Sequence, residues 1–85
     1  MGNARWLDNF LQPLPKGASL LYRYAWRIPL SPTFGPSDAH GLARNKADAY
    51  RQLTGAIGEL RRHGIVVTGE GVRWASGFRP PATPT

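Results

Sequence analysis

Even positions from 20 to 30 hold Leu20, Tyr22, Tyr24, Trp26, Ile28 and Leu30, while odd positions hold Leu21, Arg23, Ala25, Arg27 and Pro29. Alternation at a period of two over so many residues predicts a strand with one face turned to a core. Pro29 lacks a ladder donor, so the strand ends near it or lies on a sheet edge. Farther along, Ala43, Ala47, Tyr50, Leu53, Ile57 and Leu60 recur in steps of three and four. That stripe predicts a helix over roughly 39–63, capped at its start by Ser37 or Asp38 and stopped by Gly64. Arg61, Arg62 and His63 fall in its last turn, where positive charge complements the helix dipole. Gly55 and Gly58 sit badly inside it, each costing about 1 kcal/mol against alanine. Close approach by another group would explain them, and so would simple tolerance.

Two shorter signals flank these. Trp6, Leu7, Phe10 and Leu11 share one side of a short helix over 3–12, with Asn3 as cap and Pro13 and Pro15 as stop. So short a helix does not hold alone in water, and its apolar side is expected to dock on the domain's own core. Ile65–Thr68, Gly69-Glu70-Gly71 and Val72–Ala75 read as strand, turn and returning strand of a hairpin. Residues 31–41 are rich in Pro, Gly, Ser and Asp and read as a loop, anchored by Phe34. The stretch 77–85, GFRPPATPT, has little to bury and is expected to be disordered.

These pieces assemble into a small two-layer α+β domain over 1–76, with one long helix covering one face of a three-stranded, mainly antiparallel sheet. The strand–helix–strand crossover makes the first two strands parallel. Inserting the third between them gives the preferred order 1-3-2, in which all neighbours are antiparallel; order 1-2-3 is the alternative. One helix covers only one face, and burying Tyr22, Tyr24 and Trp26 beneath it is worth roughly 1.5–3 kcal/mol each. Arg23 and Arg27 then fall on the open face. With order 1-3-2, Arg73 becomes a cross-strand neighbour of one of them. Like charges placed opposite each other are destabilising, so three arginines there ask for an anionic partner.

Composition sharpens that picture. The 85-residue chain carries 11 basic residues against 5 acidic ones, a net charge of +6, and no cysteine. One domain is implied, without disulfides or thiolate metal sites. The surplus favours an anionic partner, nucleic acid first and an acidic protein surface second. GC-rich coding alone would also raise the arginine content. Ser37, Asp38 and His40 are too close in sequence to form a nucleophile, base and orienter, so no enzyme is expected. Asp38, His40 and His63 lack ligand spacing, and neither glycine-rich loop cradles a phosphate, so no metal or cofactor is expected. With no apolar run of about 20 residues and no signal-peptide pattern, a soluble cytoplasmic protein is the expectation. No RNA-recognition, zinc-finger or helix-turn-helix signature is present.

The sequence therefore favours a non-catalytic module acting through protein–protein interaction, an adaptor or inhibitor of a larger machine, or a homodimer. Its size and composition fit a phage or mobile-element origin. Arg23, Arg27 and Arg73, assisted by Arg61 and Arg62, are the candidate binding residues. Binding of nucleic acid through the same face, without sequence specificity, is the alternative.

Overall fold

Three strands, not one, precede the long helix. The structure, a computed structural model, describes residues 4–77. Ala4–Phe10 form a 3-10 helix, followed by β1 (Leu11–Pro13), β2 (Tyr24–Ile28), β3 (Ala39–Ala43), α1 (Lys46–Arg62), β4 (Ile65–Thr68) and β5 (Gly71–Trp74). The first three strands make one antiparallel sheet in the order β1-β2-β3, and β4 and β5 pair separately as a hairpin. A small α+β domain with antiparallel sheets and one long helix is thus correct. The order 1-3-2 and its parallel crossover are not: among the described residues, no strand after α1 joins the first sheet.

The two extra strands come from segments read otherwise in the sequence. The apolar spacing predicts Leu11 in the N-terminal helix, yet Leu11–Pro13 pair with Trp26, Ala25 and Tyr24. The helix itself is 3-10 and ends at Phe10. It docks as expected, with Leu7 buried in the core and Trp6 and Phe10 packed against it. The sequence pattern predicts residues 39–43 to be loop and the start of the long helix. They pair with β2 instead, placing Gly41 opposite Trp26. A Cβ at Gly41 would lie 2.6 Å from Trp26 Nε1, so the indole occupies the space a side chain would need. Trp26 Nε1–H donates to Gln52 Oε1 at 2.8 Å, tying the sheet to α1.

The helix starts later than its apolar stripe suggests because Asn45 supplies the cap. Asn45 Oδ1 accepts the Asp48 N–H at 2.8 Å, satisfying a donor that the first turn leaves free. Asp48, buried at that positive helix end, also accepts from Gln52 Nε2 at 3.2 Å and pairs with Arg51. Asp38, expected as a cap for this helix, serves the preceding loop. The far end is as expected: Gly64, at φ +84°, donates its N–H to the Arg61 carbonyl at 3.0 Å.

Only the second half of the alternating stretch reaches the core. Trp26, Ile28 and Leu30 are buried with Leu53 and Ile57 of α1 and Ile65 and Val67 of β4. Tyr22 and Tyr24 are half-buried, and Leu20 is exposed. Phe34 anchors its loop as expected, its ring lying 5.0 Å from that of Trp74 on β5. Apart from Gly77, the expectation for 77–85 lies outside the described residues.

Gly55 and Gly58 meet no close neighbour: a Cβ at either would have nothing within 4 Å beyond the helix's own local backbone. Each Gly→Ala substitution is therefore expected to stabilise the domain by up to about 1 kcal/mol, through helix propensity alone. Thermal melting of the two single variants checks this. A lower melting temperature in either would show that the glycine is required there.

Candidate functional site

Register divides the first sheet into two chemically different faces. Leu11, Trp26 and Gly41 lie across from one another on the side that α1 covers. On the other side, Gln12 and Leu42 flank Ala25, and His40 stands opposite Arg27. Arg23 shares this side by the alternation of the strand and is exposed. Its backbone is held by both neighbours: its N–H donates to the Ala43 carbonyl at 3.0 Å, and its carbonyl accepts from the Leu14 N–H at 2.9 Å. A shallow recess of about 280 Å³ opens here, bounded by Phe10, Gln12, Ala25, Arg27, His40 and Leu42. Leu42 is left 46% exposed.

One carboxylate organises the rim. Asp38 Oδ1 accepts the N–H groups of Leu30 and Ser31, each at 2.8 Å, and Oδ2 lies 3.1 Å from Arg27 Nε. The Ser31 N–H foremost, then that of Leu30, hold the Asp38 carboxyl below its ordinary pKa against a smaller opposing desolvation, with the charges of Arg27 and His40 adding to the effect. Because the folded pKa is depressed, this contribution to stability is present above the ordinary aspartate range. It is lost as pH falls through that range and below. Wild-type melting temperature should therefore drop on acidification more than that of Asp38→Asn; equal pH profiles would remove the role assigned to this cap.

His40 completes the rim. Its Nδ1 lies 3.0 Å from the main-chain carbonyl of Asp38, an acceptor, so Nδ1–H donates to it. The Asp38 carboxylate is meanwhile committed to backbone N–H groups and Arg27. Among the described residues, no three His, Asp or Glu side chains group as metal ligands.

Of the five arginines singled out in the sequence, the structure brings two together. Arg23 and Arg27 share the open face, and Arg23 has no ion-pair partner among the described residues. Arg73 is not their neighbour: it stands opposite Val66 in the hairpin, with Nη1–H donating to the Trp74 carbonyl at 3.3 Å. The placement failed because β5 pairs with β4 alone. Arg61 and Arg62 lie in the last turn of α1, in the layer behind the sheet, where Arg62 pairs with Glu59 and Arg61 borders a separate recess beside Trp6 and Leu7.

Gln12 and Leu42 play no part in the sequence reading, and His40 enters it only as a catalytic or metal candidate, not as a residue of this face. The alternation of small and larger side chains in AHGLA, with Asn45 and Asp48 set as cap and partner just beyond, carried the signal for the strand that places His40 and Leu42. Among the described residues no helix is long and apolar enough to cross a membrane. In comparisons with protein-family models, curated proteins and solved structures, nothing matches this chain.

Proposed function

We propose that this domain is a non-catalytic binding module whose open sheet face lies on duplex nucleic acid. The observation that carries this reading is the make-up of that face. Among the described residues its polar side chains include Gln12, Arg23, Arg27 and His40, and the Asp38 carboxylate at its rim is already committed. Strands lie about 4.8 Å apart, so β2 with one neighbour forms the kind of two-stranded ribbon that a major groove of about 12 Å admits. Arginine and glutamine donate to phosphate oxygens and to the purine edges of that groove. With phosphate contacts dominant, affinity is strong at low salt and sequence preference slight.

A protein partner is the second reading, favoured by the apolar floor that Phe10, Ala25 and Leu42 give the recess. An acidic segment with one apolar anchor would fit it. The readings separate in one experiment. Fluorescence anisotropy with a generic duplex should show binding that weakens steeply as salt rises. Absence of binding at low salt, together with recovery of a protein in a nuclease-treated pull-down, would transfer the face to the second reading.

A further inference from the structure

Three leucines are exposed among the described residues, and Leu42 alone of them stands in a strand. A leucine left in water forfeits the burial that is its main contribution to folding. Across the sheet from it, on β2, is Ala25, whose side chain is a single methyl. With Phe10 these two form the apolar floor of the recess on the open face. Contacts to phosphate make no use of such a floor.

Its position in the sheet says what it meets. Five residue pairs join β2 to β3, against three between β1 and β2. The β2–β3 ribbon is therefore the longer of the two that could enter a groove. On the open face of β2, Ala25 lies between Arg23 and Arg27, each two residues and about 7 Å away along the strand. Arg27 in turn faces His40. The ribbon thus presents an apolar centre with an arginine to either side. Arginine carries its charge at the end of a long stem, so both can reach phosphates while the small Ala25 lets the centre come close to base edges. Those edges present hydrogen-bond donors and acceptors and one apolar group, the C5 methyl that thymine carries.

We infer that Leu42, at the centre of the β2–β3 ribbon, contacts the C5 methyl group of a pyrimidine in the major groove. This rests on the duplex-binding reading above. The arginines supply most of the affinity, and Leu42 adds a modest preference for methyl-bearing sequence. Thymine is one source of that methyl and 5-methylcytosine is another.

The test uses the full chain and labelled duplexes of about 20 bp, long enough for a whole site. One duplex alternates A and T, so that every register offers a methyl, and its counterpart has dU in place of each dT. Anisotropy should show wild type binding the dT duplex about fourfold more tightly, the worth of burying one methyl-sized group. Leu42→Ala should bind both duplexes equally, with an unchanged slope of log affinity against log salt, because the phosphate contacts remain. Leu42 is 46% exposed, so the variant is expected to fold, and its melting curve verifies this. Equal binding of both duplexes by wild type, or a preference that survives in Leu42→Ala, overturns the inference and leaves the face reading standing. A G·C duplex with dC or with 5-methyl-dC separates the sources. A Leu42-dependent gain there as well assigns the contact to the methyl in either base, and no gain confines it to thymine. Absence of duplex binding overturns both readings, and Leu42-dependent recovery of a protein in the nuclease-treated pull-down then gives the recess to a protein.

Discussion

Gly41→Ala is expected to destabilise the domain by about 1–3 kcal/mol, the usual cost of forcing one extra carbon into a packed site. The new Cβ would lie 2.6, 2.7 and 2.8 Å from Nε1, Cε2 and Cζ2 of Trp26. That ring has little room to retreat. It is 8% exposed, and its Nε1–H is committed to Gln52 Oε1 at 2.8 Å. Shifting the indole puts that bond at risk, adding about 1 kcal/mol. At 85 residues, a total stability of roughly 4–13 kcal/mol is typical, so the loss is a large fraction of it. Melting temperature should fall by about 4–8 °C for each kcal/mol. Trp26→Leu, which removes the ring, should make the added methyl less costly, so the double variant melts higher than additivity predicts. A Gly41→Ala protein that melts with wild type would mean that Trp26 does not rest on Gly41.

The second large effect concerns binding. At about 0.1 M salt, counterion release makes each phosphate contact worth roughly eightfold in affinity. Replacing both Arg23 and Arg27 by alanine should therefore weaken duplex binding by about 60-fold and lower the slope of log affinity against log salt by about two. Arg27→Ala should be the more damaging single change, because it also releases the Asp38 carboxylate onto the face. Stability should barely move: among the described residues Arg23 has no ionic partner, and the Arg27–Asp38 pair leaves Arg27 69% exposed, where such pairs contribute little. Arg73→Ala, in the other sheet, is the control and should leave the slope unchanged. A double variant with an unaltered slope would remove the open face from duplex binding.

That control exists only because the strands pair as they do, and it marks where sequence reasoning stopped. Alternation along 20–30 identified the apolar side that holds Trp26, Ile28 and Leu30 in the core, although Tyr22 and Tyr24, expected to be buried with Trp26, are only half-buried. The stripe of Leu53 and Ile57 identified the buried side of α1. Gly64 and the strand boundaries of 65–68 were equally legible. Arg23 and Arg27 were placed together because side-chain direction within one strand is a local property with a fixed period of two.

Other features had competing local readings. Ala43 and Ala47 extend the helical stripe backwards, and that masked the short alternation of Ala39–Ala43. What separates the two readings is Trp26, more than a dozen residues earlier in the chain, whose ring fills the space beside Gly41. Likewise, nothing within β5 says whether Arg73 will face Arg23 or Val66. Periodicity in the sequence determined which side of a segment is apolar, since that depends on neighbours along the chain. Only the tertiary structure decided which segments meet, because backbone pairing is open to any strand and is settled by contacts between residues far apart.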